Sequence, residues 1–239
     1  MSKKAPIVDL KLDITYLTSA QTLELINASI SDGFNVLALS RTINPKVDYV
    51  PSKIDKRPFE SQSVKILERV TLKVGSTQDL DTLKSKKSNL EQADIVALEF
   101  NDVETFEAFI KRYNDFIDNL VYINISTFPV STHFLKLLKN KNLFIELDYS
   151  KFFIDAKKKQ ALVNFYKLLD SHYDQLILSS DAGNLLDRRA EWEIKAMVNS
   201  LLERSENYSS KLAKCILSDT PLKLIKRCLL RKQGFAYFE

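Results

Sequence analysis

Short apolar runs alternate with longer amphipathic stretches along most of this chain, and nothing else in the sequence constrains the fold as much. Residues 7–14, 36–39, 64–74, 95–98, 120–125, 143–147 and 175–178 read as strands. Between them lie stretches with apolar side chains at helical spacing. Residues 19–31 carry Leu23, Ile26 and Ile30 on one face, with Ser19 placed as N-cap and Asp32-Gly33 as the stop. Residues 78–90 and 132–138 read as further helices, and residues 103–117 bring Phe106, Phe109, Ile110, Tyr113 and Ile117 to one side. Residues 155–169 do the same with Leu162, Phe165, Tyr166 and Leu169. The runs at 120–125 and 143–147 are nearly continuous in apolar residues, the signature of parallel strands buried on both faces. Strand–helix alternation implies right-handed crossovers. Seven strands followed by a largely helical remainder from about residue 185 predict a TIM-barrel-like parallel α/β barrel with a helical C-terminal tail. A doubly wound open sheet stays the alternative, because no eighth strand is evident. The 239 residues suit a single barrel domain spanning the chain.

Two stretches break the rhythm. The loop at 42–63 holds Pro45, Pro51 and Pro58 together with Lys46, Lys53, Lys56 and Arg57, and follows the second strand at the end where barrel sites lie. The tail, about 205–239, is basic: from Lys211 to Lys232 seven cations face Asp219 alone, a local net charge of +6 against +4 for the whole chain. A concentrated basic face is the footprint of a phosphate-binding surface, and equally a solvated helix face.

The missing chemistry is as informative. Four glycines leave no phosphate-binding glycine loop, and there is no nucleophile elbow. His133 and His172 lack carboxylate or histidine companions at metal-ligand spacing and read as structural. Ser179-Ser180-Asp181 ends a strand without a partnered histidine, so it reads as a cap or a pocket wall. Asp9, Asp13, Glu99, Glu146 and Asp148 lie at or near strand ends and read as salt-bridge partners, with a divalent-metal site as the rival. Cys215 and Cys228 read as free thiols in a reducing compartment. No apolar run approaches the roughly 20 residues of a membrane span, and the first residues do not read as a signal peptide.

Several strings resemble one family. They are Val8-Asp9-Leu10, the segment 32–39, Lys65-Ile66-Leu67-Glu68-Arg69-Val70-Thr71-Leu72, Ala93-Asp94-Ile95-Val96-Ala97, the segment 145–150 with Asp155, and the segment 177–182 with Arg189. In this order they resemble the thirty-kilodalton-class subunit shared by ribonuclease P and ribonuclease MRP. The resemblance implies a barrel related to metal-dependent phosphatases of the polymerase-and-histidinol-phosphatase type but lacking their metal site, and Lys11 and Leu12 stand where those enzymes place histidines. It implies a subunit without catalytic residues, no cofactor on this chain, and Mg2+ on a catalytic RNA that removes the 5′ leader of precursor tRNA. The implied partners are that RNA, precursor tRNA indirectly, and a small Pop-five-type protein. The implied location is the nucleus and nucleolus in a eukaryote or the cytoplasm in an archaeon. The RNA-contact candidates are Lys65, Arg69, Lys159 and Arg189, with Lys223, Lys226, Arg227 and Arg231 added from charge. Arg189 has a second reading, an ion pair with Asp187, Glu191 or Glu193. The chain departs from the family pattern at Lys151, Ile154 and Lys159, the last lacking the bidentate fork of an arginine. A divergent metal phosphoesterase and a scaffold binding an acidic protein are the rival functions.

Overall fold

Strand residues with apolar neighbours on both sides have two faces to bury, and the chain does this by curling one sheet upon itself. The computed structural model describes residues 5–100, 102–112, 122–124, 129–139, 143–202 and 211–233. Seven parallel strands follow in sequence order: β1 (Val8–Asp13), β2 (Val36–Ile43), β3 (Lys65–Val74), β4 (Ile95–Phe100), β5 (Tyr122–Asn124), β6 (Phe144–Asp148) and β7 (Leu176–Ser179). The last returns to the first. A Leu12–Ala182 bridge, the Asp13 amide donating to the Ala182 carbonyl (2.9 Å), and the Ser180 hydroxyl donating to the Lys11 carbonyl (3.0 Å) join the ends. This sequential order and closure decide for the barrel over the open sheet. Among the described residues there is no eighth strand; β7 closes on β1 directly.

Helices wrap the outside, namely α1 (Ser19–Ser31), α2 (Arg57–Glu60), α3 (Thr77–Ser85), α4 (Lys87–Leu90), α5 (Val103–Arg112), α6 (Thr132–Lys139), α7 (Asp155–His172) and α8 (Glu191–Leu202), and α9 (Thr220–Lys232) lies across one end. The α1 cap is Thr18 rather than Ser19: Thr18 Oγ1 accepts from the Gln21 amide while Gln21 Oε1 accepts from the Thr18 amide, a complete capping box. Gly33 at φ +101° turns the chain after α1. The loop after β2 contains the one-turn α2, and β2 itself runs on to Ile43. Residues 78–90 split into α3 and α4. Tyr166, expected to face inward, is 45% exposed, while Phe165 and Leu169 are buried. Tyr113 and Ile117 lie outside the described residues.

The outer core is apolar, with Phe106 packed against Phe100 and Phe134 at ring separations of 5.4 and 4.8 Å. The inside of the barrel is layered. Toward the strand N-termini it is filled by Val8, Leu10, Ala38, Leu67, Ile95, Ala97, Phe144 and Ile177. That end is stoppered by Leu224, Ile225 and Cys228 of α9. A π-helical turn, Cys215–Asp219, leads into α9. Pro221 follows directly: it has no N–H to give and its ring crowds the carbonyl four residues back, so a widened turn is the local solution.

Candidate functional site

Above the apolar layer the barrel interior turns polar, and its centre is an ion pair. Arg69 of β3 and Glu146 of β6 are both fully buried and meet through two hydrogen bonds of 2.8 and 2.7 Å. The guanidinium also donates to the Leu10 carbonyl (2.7 Å) and to Thr71 Oγ1 (3.0 Å), and Thr71 meets Ser40 at 2.9 Å. Burial alone would raise the Glu146 carboxyl; the adjacent Arg69 charge and hydrogen bonds outweigh it and hold the group well below the usual carboxylate range.

One layer nearer the mouth, the Lys11 ammonium sits among three carboxylates: Asp181 at 3.0 Å, Asp148 at 3.1 Å and Glu99 at 3.7 Å. An irregularity between Asp9 and Leu12 sets Leu12 opposite Leu39, which lets Lys11 enter the interior. Lys151 pairs with the far oxygen of Asp181 (2.5 Å), whose backbone takes a left-handed φ of +55°. Burial disfavours the Lys11 charge, but its carboxylate neighbours more than compensate, so its pKa is raised. Asp148 goes the other way. Burial, with repulsion from Asp181 and Glu146, pushes it up to about 7 despite Lys11 and Lys151. Asp9 is also raised, by burial, though it accepts from the Ser180 and Lys11 amides.

A cleft of about 490 Å³ opens above this layer, lined by Asp13, Thr15, Tyr16, Thr42, Ile43, Asn44, Lys73, Glu99, Asp148, Lys151 and Asp181. Its charge is predominantly acidic. Among the described residues no group of three or more His, Cys, Asp or Glu side chains is placed to hold a metal ion. The carboxylates that could have done so converge on a lysine. Ser180 is tied by backbone bonds, His172 is buried, and His133 pairs with Glu107 at 2.9 Å on the surface. None of these forms a nucleophile–base pair.

The RNA-contact candidates separate in space. Lys65 is exposed at the start of β3, at the stoppered end of the barrel. Arg69, four residues on, is corrected: it points into the core, is completely buried on Glu146, and cannot reach an external phosphate. The family resemblance put it forward as a contact; the inward face of β3 takes it away from solvent. On α9, Lys223 and Lys226 are exposed, Arg227 is only 9% accessible, and Arg231 is half-buried with a 3.5 Å contact to the Asp94 carbonyl. Neighbouring Lys232 pairs with Asp94 at 2.7 Å. The tail therefore spends part of its charge fastening the stopper and presents the rest outward. Lys159 is exposed on α7, and Arg189 lies in the loop before α8, both toward the opposite end. Arg189 donates to the Leu186 and Arg188 carbonyls (2.8 and 2.6 Å) and lies 4.5 Å from the Phe153 ring centroid. It forms no ion pair with Asp187, Glu191 or Glu193; Asp187 accepts from Asn184, Glu191 pairs with Lys195, and Glu193 accepts from the Ala190 amide. Phe153 escaped the sequence reading, and Lys11, Lys151 and Asp181, though noted there, were not given the ion-pair role they have. A lysine at the centre of an apolar strand, as in Val8–Asp13, was the one available signal.

Fold and site together define a parallel α/β barrel of TIM type whose mouth is organised by internal ion pairs. The chain belongs to the RNase P subunit p30 family, whose model matches residues 6–233. It is similar to a chain in a cryo-EM structure of archaeal ribonuclease P with mature tRNA, at 17% identity, TM-score 0.64 and coverage of 97% of this chain and 96% of that one. It is similar in fold to Arabidopsis ADAL complexed with GMP (12% identity, TM-score 0.57, 90% and 77% covered) and to an amidohydrolase from Mycoplasma synoviae (10%, 0.55, 92% and 87%). No curated protein matches the chain.

Proposed function

We propose that this chain is the RNA-holding, non-catalytic barrel subunit of ribonuclease P, acting in 5′-leader removal from precursor tRNA. The observation that carries the reading is the p30 family match across residues 6–233. The archaeal likeness, itself a chain of a ribonuclease P structure with tRNA, agrees with it. The interior supports the same reading from chemistry. A metal phosphoesterase would need its carboxylates for the metal, whereas Glu99, Asp148 and Asp181 here surround the Lys11 ammonium. The protein's part is then phosphate neutralisation and shape support, with Lys and Arg releasing counterions from the RNA. Lys65, Lys223 and Lys226 are the exposed candidates at the stoppered end; at the other, Lys159 is exposed and Arg189 half-buried. The catalytic Mg2+ belongs to the RNA in this scheme. A Pop-five-type protein is the proposed small partner, and a function shared with ribonuclease MRP and residence in the nucleus and nucleolus follow if the source is eukaryotic.

The test is purification of the chain with its complex, followed by sequencing of the RNA retained. Recovery of one structured RNA, and loss of the assembly on nuclease treatment, is the expected result. The isolated chain should cleave neither RNA nor phosphate esters. Metal-dependent cleavage that survives purification and disappears in Asp148→Asn would replace this reading with the phosphoesterase.

A further inference from the structure

Large apolar side chains are unusually exposed near Arg189. Phe153 is 48% accessible, Ile154 45%, Leu186 85% and Trp192 70%, all within two short segments brought together by the Arg189–Phe153 contact. Monomeric domains seldom display such a grouping without a use for it. The guanidinium in its midst sits over the Phe153 ring, 4.5 Å from its centroid, and donates to two backbone carbonyls, which orient it without neutralising it. The nearby carboxylates are engaged elsewhere: Asp32 with Arg188, Glu191 with Lys195, and Asp187 and Glu193 in local caps.

We propose that Phe153, Arg189 and Trp192 form a stacking platform for unpaired bases of the bound RNA. The proposal rests on the RNA-holding role above and specifies which part of the RNA this end of the barrel engages. An apolar protein segment laid on the patch would bury the Arg189 cation without a counter-charge, which is costly. A nucleotide brings both things the patch lacks, a flat π-face for the aromatic rings and guanidinium plane, and a phosphate for the charge. A duplex offers the phosphate but keeps its bases stacked inside, so the platform favours single strands, loops and bulges.

Trp192 is the only tryptophan of the chain, so its emission reports on the patch directly. The full chain is titrated at low salt with an unstructured pyrimidine-rich oligoribonucleotide and with a blunt RNA duplex of equal length. Binding is followed by anisotropy of labelled RNA and, separately, by tryptophan emission with unlabelled RNA. The single strand should quench Trp192 saturably and the duplex should not. Phe153→Leu, which keeps bulk but removes the ring, should lower single-strand affinity by about 5- to 150-fold, the range measured for losing one base–aromatic stack, with an unchanged salt slope. Arg189→Lys should weaken it too, since the charge stays and the plane is lost. Single-strand binding seen by anisotropy, with constant Trp192 emission and a Phe153→Leu protein that binds like the parent, overturns the platform and leaves the RNA-holding role standing. Failure of the parent to bind either RNA overturns both.

Discussion

Arg69 and Glu146 span the barrel from β3 to β6, 77 residues apart in sequence, and meet in a doubly hydrogen-bonded pair that no solvent reaches. Such a pair adds little net stability as a whole, because desolvation offsets attraction, but losing one partner strands the other charge. Arg69→Met should therefore destabilise the fold by about 3–5 kcal/mol. Arg69→Met with Glu146→Leu should recover much of that loss. Urea unfolding of the two variants checks this, and equal stabilities would show that the charges are not coupled.

Lys11 makes a related prediction with a pH signature. Removing its ammonium in Lys11→Met leaves Asp148, Asp181 and Glu99 facing one another in the barrel. The loss should be large at pH 8 and smaller at pH 5, where the carboxyls can take up protons to relieve the repulsion. Thermal unfolding at the two pH values measures it; a pH-independent deficit would mean lost packing rather than lost charge.

Asp148 predicts the behaviour of the unaltered protein. Its folded pKa of about 7 lies above the ordinary 3.8, so the folded state retains a proton that the unfolded chain has released. Stability contributed by this group is full below the unfolded value and is lost as pH rises through 7, with a slope of up to about 1.4 kcal/mol per pH unit. Glu146 acts oppositely. Its folded pKa is depressed, so its contribution is present above the unfolded value and lost only in strong acid. Asp148→Asn should flatten the decline between pH 5 and 7. Overlap of the variant and parent profiles across that window would rule out Asp148 as its source.

The tail separates fastening from binding. Lys223→Glu with Lys226→Glu changes two exposed positions and should weaken RNA binding, with a salt slope shallower by about two, while Tm stays put. Leu224→Ala, in the stopper, should instead cost about 2–5 kcal/mol of stability, since the residue is completely buried against the lower barrel. Gel shifts across a salt series and denaturation curves together test the division. Full RNA affinity in the double charge reversal would leave Lys223 and Lys226 as ordinary solvated lysines.

The sequence by itself determined the strand–helix alternation, because burial on both faces writes nearly continuous apolar runs such as 143–147 and a helix writes its own spacing. It also determined the basic tail and the family strings. Only the tertiary structure decided what the charged strand residues do. Lys11 and Asp148 are 137 residues apart, and an ammonium in a strand carries no local mark of whether it faces water or a carboxylate. Arg69 reads as a surface cation for the same reason; the curl of the sheet turns its side of β3 inward, and Glu146 arrives from the far wall. The tail's double use was equally hidden, since helix periodicity marks Leu224 and Cys228 as buried without saying that they close the end of a barrel. Short-range pattern fixes which backbone forms. Electrostatic partnership depends on which strands face one another, and that is settled only when the barrel closes.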